Sequence, residues 1–320
     1  MQSSLKKPTK NQNRLTSFIG EPTPAKYSGL AFSLASILPV LLSLIFLLVI
    51  AACGLMADNY TEQDWYLYCS FLLPQIAFAA VVFCYLFFSG KFFKVELKRQ
   101  KCSFKYYLLA VLLQIGLFGL AELNTLFLEF LEKFGYESAE IVLPDMQGFG
   151  VVWVLLVVAL LPAVFEETLF RGVVLDGMHS FGKVGAVLLC GGLFAIYHQN
   201  PAQTVYQFCC GAAFALVAIR AGSVFPTMLS HFINNAVIIL LARFGISQFP
   251  TPVYIAILCV SAVCLLFSLV WLIFFDKGAT EEKPLSQKEK IAENKSFLMT
   301  ASVGIVVCLV SWLAVLIQGM

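Results

Sequence analysis

The chain has 320 residues, of which 60% are hydrophobic and only 12% are charged, and its mean hydropathy is +0.85. A soluble domain carries roughly twice that fraction of charged residues, about 25%. The composition therefore excludes an ordinary water-soluble enzyme. The net charge of +2 is small, and the basic residues form short runs between apolar stretches, which argues against a nucleic-acid partner.

The ten cysteines lie mostly inside apolar stretches, and none has the spacing of a metal-binding knuckle. We interpret them as small apolar residues rather than disulfide partners or ligands. The segment that ends at Cys53 resembles a lipoprotein cleavage box. Its apolar run, however, begins near Leu30 and exceeds the roughly 7–15 residues of a signal-peptide core. We therefore expect a first membrane helix there.

Long apolar stretches recur along the chain, and a membrane-spanning helix needs about 20 such residues. The predicted spans run approximately over residues 30–56, 66–89, 106–130, 149–175, 184–197, 205–221, 224–241, 253–275 and 297–317. The fifth is short and rich in glycine, so its ends are the hardest to place. The sequence predicts an all-α fold, a polytopic transmembrane helical bundle of about nine spans.

Basic residues are distributed unevenly between the two sides of such a bundle, and Lys and Arg collect in cytoplasmic loops. Of the 21 basic residues, only Lys133 and Arg243 fall on the side opposite the N-terminus. We therefore predict an integral membrane protein with a cytoplasmic N-terminus and an external C-terminus, in the plasma membrane of a bacterium.

The same pattern divides the chain into four predicted regions. Residues 1–27 form a polar cytoplasmic arm, and residues 28–147 contain three accessory transmembrane helices. Residues 148–245 form a helical core that carries the motifs described next. Residues 246–320 contain two C-terminal transmembrane helices with a cytoplasmic loop, 276–296, between them.

Ionisable residues inside apolar segments are expensive, at least about 2.5 kcal/mol each on insertion scales, so they mark candidate functional positions. Three patterns occur in the core, in the fourth, fifth and seventh predicted spans respectively: Glu166-Glu167-x-x-x-Arg171, Phe194-x-x-x-His198 and His231-x-x-x-Asn235. Residues four apart share a face of a helix. Each pattern therefore places its polar or aromatic residues on one side of its helix.

The spacing has chemical consequences. Glu167 and Arg171 can pair across one helical turn, which partly offsets the cost of burying both charges. Glu166 is rotated by about 100° from Glu167, because an α-helix has 3.6 residues per turn, and it can face a different wall of a cavity. Two histidines, a free carboxylate and an amide from three helices would supply a base, electrophilic donors and an oxyanion stabiliser. Activation of water against a peptide bond needs that set.

The three motifs, in this order and in successive membrane segments, resemble the CAAX protease and bacteriocin-processing (CPBP, Abi-type) family of intramembrane peptidases. This family includes the prenyl-protein endopeptidases. The resemblance covers about residues 148–245 and holds at every motif position. It implies an endopeptidase that hydrolyses a peptide bond in a membrane-associated protein or peptide through a glutamate-activated water. The implied partners are that substrate and the lipid bilayer.

Within this interpretation, Glu166 is the general base, and Glu166 and His198 hold the water. His231 and Asn235 hold the tetrahedral oxygen. The supporting residues are Glu167, Arg171 and Phe194.

The cofactor is left open by the sequence, although the family is often called a metallopeptidase family. The candidate metal ligands are His198, His231 and Glu166, which could provide the three protein ligands of a catalytic zinc site. No His-Glu-x-x-His helix is present, however. We therefore favour a site without metal.

Two other functions stay open. The resemblance also implies bacteriocin self-immunity proteins of the same fold, and intact motifs do not argue against immunity that depends on proteolysis. A proton-coupled transporter could use the buried carboxylates as a relay, but no internal repeat is visible and a relay does not need an amide. Asn235 alone, or Asn234 in its place, could also be a simple hydrogen bond between helices.

Overall fold

The computed structural model describes residues 23–89, 101–139, 141–276, 278 and 285–320, and these are helical with short connections. The helices are α1 (Pro24–Ala52), α2 (Asp64–Phe88), α3 (Phe104–Gly119), α4 (Ala121–Glu132), α5 (Gly150–Val154), α6 (Leu161–Glu167), α7 (Gly182–Tyr197), α8 (Thr204–Ala221), α9 (Phe225–Arg243), α10 (Thr251–Val270) and α11 (Gln287–Gln318). Short 3-10 segments occur at Tyr60–Glu62 and Pro201–Gln203, and a π-helical turn, Trp271–Phe275, extends α10.

One continuous helical run, residues 150–181, contains α5 and α6 and is called the motif helix below. π-helical turns over Leu155–Leu160 and Thr168–Val174 flank α6 on both sides, and a 3-10 segment, Leu175–Phe181, ends the run. π-helical turns are rare and occur frequently at functional sites. Here they enclose the α6 segment that ends with the two adjacent glutamates.

The described part of the chain has eight apolar helical runs, and a backbone break divides the longest of them into two spans. The described residues contain eight helical runs long and apolar enough to cross a membrane, and one of them, Gly150–Tyr197, has 48 residues. At 1.5 Å per residue this run would measure about 72 Å, more than twice the roughly 30 Å hydrocarbon core. Gly182 divides it, because its φ of 74° lies in the left-handed region. The motif helix and α7 therefore count as two spans, which confirms the all-α bundle of about nine spans.

Large apolar side chains cover the outside of the bundle. Leu48, Val263 and Phe274 are each more than half exposed. Contiguous apolar surface of this kind is rare on soluble monomers and indicates contact with lipid. An integral membrane location follows. The bacterial membrane and the orientation stay predictions.

The start of the last helix differs from the expectation. The region 276–296 was predicted as a polar loop, but α11 begins at Gln287. The Ser286 side chain accepts from the backbone N–H of Glu289, and the Glu289 carboxylate accepts from the backbone N–H of Ser286, which forms a capping box. Capping therefore starts this helix well before its apolar part. Most of the predicted arm, 1–27, lies outside the described residues.

The accessory helices flank the core in two groups. One apolar cluster joins α1, α2 and α11 to the motif helix and α7, and a second joins α3 and α10 to α8. Small residues allow close approach within these groups: a Cβ on Gly304 of α11 would lie 2.6 Å from Ser33 Cα of α1. None of the ten cysteines forms a disulfide.

Candidate active site

The first motif forms a fully buried ion pair. Arg171 Nη1 donates to Glu167 Oε1 at 2.7 Å, and both side chains are 0% exposed. The second terminal nitrogen, Nη2, donates to the carbonyl oxygen of Gly211 in α8 at 3.2 Å. The pairing expected from the four-residue spacing is present, and it fixes the motif helix against α8.

Phe194 of the second motif contacts both the ion pair and a histidine. The Arg171 guanidinium carbon lies 4.4 Å from the centre of the Phe194 ring, a distance at which a desolvated cation–π interaction contributes about 2 kcal/mol. The rings of Phe194 and His198 are 4.7 Å apart, and the carbonyl oxygen of Phe194 lies 2.8 Å from His198 Nδ1. Because a carbonyl can only accept, Nδ1 carries the proton in this contact, and Nε2 remains for a ligand.

His231 of the third motif lies between the two adjacent glutamates. Its Nδ1 is 2.9 Å from Glu167 Oε1, and its Nε2 is 4.0 Å from Glu166 Oε2. Glu167 is buried, whereas the Glu166 side chain is 12% exposed. The carboxylates thus face opposite nitrogens of one imidazole, rather than separate walls of a cavity.

This arrangement bears on the predicted roles. The sequence predicts that Glu166 acts with His198 and that His231 acts with Asn235. In the structure the imidazole next to Glu166 is that of His231. The catalytic assignments of all four residues stay predictions.

Asn235 connects α9 to the motif helix. Its Nδ2 donates to the carbonyl oxygen of Val158 at 3.3 Å, and its Oδ1 accepts from Asn234 Nδ2 at 3.1 Å. Val158 lies in the π-helical turn before α6. Asn234, which the sequence analysis considered as a helix–helix contact, accepts from Gln114 of α3 and from Tyr206 of α8.

Sequence reasoning missed polar residues contributed by the accessory helices. Gln75 of α2 is buried beside the carboxyl group of Glu166, and Gln114 of α3 is buried beside Asn234. Among the described residues, neither Gln75 Oε1 nor Glu166 Oε2 has a hydrogen-bond partner. In the sequence, Gln75 and Gln114 stand out only as amide side chains inside long apolar runs. Such a position does not show which site the side chain belongs to.

The candidate metal ligands do not form a metal site in this arrangement. Within the described part of the chain, no group of three His, Cys, Asp or Glu side chains could hold an ion. A catalytic zinc site uses three protein ligands close to one point, and His198, His231 and Glu166 are not brought together in that way. Metal dependence stays a question for experiment.

A buried carboxylate–imidazole–amide cluster inside a membrane helical bundle is an arrangement suited to hydrolysis within the membrane. Residues 148–237 match the family described as type II CAAX prenyl endopeptidase Rce1-like. The match includes all three motifs and confirms the predicted resemblance. It supports intramembrane protease activity in general. Comparisons with curated proteins and with solved structures gave no match.

Proposed function

We propose that the chain is an intramembrane endopeptidase that hydrolyses a peptide bond with a water molecule activated by Glu166. The observation that carries this proposal is the position of His231 between Glu167 and Glu166. A buried ion pair holds one nitrogen of the imidazole, so the other nitrogen has a defined direction towards the Glu166 carboxylate, whose Oε2 is buried without a hydrogen-bond partner among the described residues.

The spacing of Glu166 and His231 suits one water molecule. The 4.0 Å between Oε2 and Nε2 is too long for a direct hydrogen bond and fits a bridging water. Because the Glu167 carboxylate accepts, His231 Nδ1 carries the proton in that contact. In the neutral imidazole Nε2 is then an acceptor, as is the carboxylate oxygen of Glu166. A water that donates to both would direct its lone pairs away from them, towards a substrate carbonyl.

Hydrolysis can then be written with the residues of this site. Glu166 takes a proton from the water as the water oxygen bonds to the carbonyl carbon, and the carbonyl oxygen becomes an oxyanion. Asn235 Nδ2 donates to that oxyanion. His231 Nε2 accepts from the second hydrogen of the former water, which stays on the tetrahedral oxygen that the water supplied. Glu166 returns the proton to the amide nitrogen as the carbon–nitrogen bond breaks. His198, oriented through the Phe194 carbonyl, helps to hold the water.

The substrate class to test first follows from the description of the matched family. We propose a membrane-associated protein or peptide cleaved near its C-terminus. Two fluorogenic peptides with the same CAAX sequence, one farnesylated on cysteine and one not, would show whether the lipid matters. Purified protein in detergent would be assayed with both peptides.

The assay would compare the wild type with Glu166→Gln and with the matched control Glu129→Gln. Glu129 is an exposed carboxylate on α4. Loss of a general base typically costs about 10²–10⁴-fold in rate. We expect that loss in Glu166→Gln and wild-type turnover in Glu129→Gln. Equal turnover in all three would refute the role of Glu166. Proteoliposomes that move protons and cleave neither peptide would favour the transporter instead.

A further inference from the structure

A chain of hydrogen bonds runs to Asn235 from the accessory helix α3 and from α8 of the core. The fully buried Gln114 of α3 donates from Nε2 to Asn234 Oδ1 at 3.0 Å. The hydroxyl of Tyr206 in α8 donates to the same oxygen at 2.8 Å. A carbonyl oxygen accepts through two lone pairs, so both acceptor positions of Asn234 are filled.

In the structure these two donors hold the Asn234 amide in one orientation. An amide side chain has two orientations that differ by 180° and exchange its donor and acceptor ends, and its hydrogen-bond partners choose between them. With Oδ1 of Asn234 held by Gln114 and Tyr206, its Nδ2 donates to Asn235 Oδ1 at 3.1 Å. The oxygen of Asn235 is thereby occupied on the side of Asn234.

The nitrogen of Asn235 consequently faces the motif helix, where Val158 O accepts one of its two N–H groups. The other N–H is the donor that the proposed function assigns to the oxyanion. In the reversed orientation, the oxygen of Asn235 would face the developing negative charge and repel it. The orientation of this amide therefore decides whether it stabilises the transition state.

We propose that Gln114, Tyr206 and Asn234 are positioning residues that form a relay, and that the relay keeps the Asn235 amide nitrogen directed at the oxyanion. The inference rests on the proposed function, because the direction of the amide matters to rate only if Asn235 stabilises an oxyanion. It assigns the accessory helix α3, which lies outside the matched segment, a role in catalysis through Gln114.

The relay predicts a specific kinetic effect. Tyr206→Phe removes one donor and keeps the ring, so the amide of Asn234 loses part of its constraint. We expect kcat to fall about 10-fold while KM stays within about twofold, because the interaction strengthens only in the transition state. Asn234→Asp has the same shape but presents an acceptor to Asn235 Oδ1. There we expect a kcat loss of about 10²–10³-fold, similar to removal of an oxyanion donor.

A matched control separates positioning from general damage. Tyr106→Phe, also in the membrane bundle, removes a buried hydroxyl that donates to Asp276 at 2.9 Å, away from the motifs. It should keep the wild-type kcat and KM. Thermal stability of every variant would be measured in parallel, and Tyr206→Phe carries the test if Asn234→Asp does not fold.

The outcomes are distinguishable. Cleavage by the wild type, with Tyr206→Phe and Tyr106→Phe equal in kcat and KM, would overturn the relay and leave the proposed function intact. A rise in KM without a fall in kcat would also overturn it, since that pattern reports lost substrate binding. Failure of the wild type to cleave either peptide would overturn the proposed function and the relay together.

Discussion

Removal of Arg171 is expected to destabilise the fold, because it would leave the Glu167 carboxylate buried without its strongest partner. The two side chains are fully buried and 2.7 Å apart. Breaking a buried ion pair by removing one partner costs about 3–5 kcal/mol. The lost contacts with Gly211 O and with the Phe194 ring add to that cost. We expect Arg171→Ala to lower the free energy of unfolding by at least about 3 kcal/mol.

Equilibrium unfolding in mixed micelles, at increasing mole fractions of dodecyl sulfate, would measure this change. The matched control is Lys105→Ala, which removes an ion pair with Asp276 that is shorter, at 2.6 Å, but whose lysine is 49% exposed. The Asp276 side chain is 1% exposed, but it keeps the Tyr106 hydroxyl as a donor, so we expect Lys105→Ala to cost less than Arg171→Ala. The comparison therefore tests whether burial, rather than distance, sets the cost.

A second variant tests the cause of the loss. The double change Arg171→Met with Glu167→Gln removes both charges at similar volume, so it should recover much of the stability lost by Arg171→Ala. Equal losses in Arg171→Ala and Lys105→Ala, or a double variant no more stable than the single one, would refute the reasoning. Loss of turnover in Arg171→Ala without loss of stability would instead place Arg171 in the catalytic group.

Three further predictions concern packing, topology and metal. A Cβ on Gly191 would lie 2.9 Å from a backbone nitrogen of α8, whereas one on Gly192 would meet nothing within 4 Å. Gly191→Ala should therefore cost about 1–3 kcal/mol in unfolding free energy and Gly192→Ala should not; equal effects would contradict this close helix crossing. A reporter fused after Met320 should be active only outside the cell, and a cytoplasmic signal would reverse the predicted topology. Activity should survive chelation; near-stoichiometric zinc, with activity lost on chelation and regained on adding metal, would make His198 and His231 ligands.

Contacts within one helix were predictable from spacing alone. Four residues make slightly more than one turn, so Glu167 meets Arg171, and the Phe194 carbonyl meets His198, wherever those helices lie in the bundle. The long apolar runs likewise predict the spans, because length and hydropathy decide insertion. These parts of the fold and of the candidate site depend on local geometry.

Contacts between helices were not predictable, because they depend on helix rotation and crossing. Spacing shows that His231 and Asn235 share a face, but not that Glu166 and Glu167 face opposite nitrogens of His231. An isolated amide such as Gln114 shows a polar position in a span without showing its partner. The apolar runs predict two spans, 149–175 and 184–197, within Gly150–Tyr197, and the structure adds that the backbone break between them lies at Gly182.

The structure gives a physical reason why the three motifs occur together. Glu167 Oε1 accepts from Arg171 Nη1 and lies 2.9 Å from His231 Nδ1, so a single oxygen joins the first motif to the third. The guanidinium packs on the Phe194 ring and thereby joins the second motif to the first. We expect a change in any one of these three contacts to alter the direction of His231 Nε2, the nitrogen that faces Glu166. Single substitutions in the motifs will therefore report on a coupled unit, and only double-mutant cycles can assign a free energy to each contact.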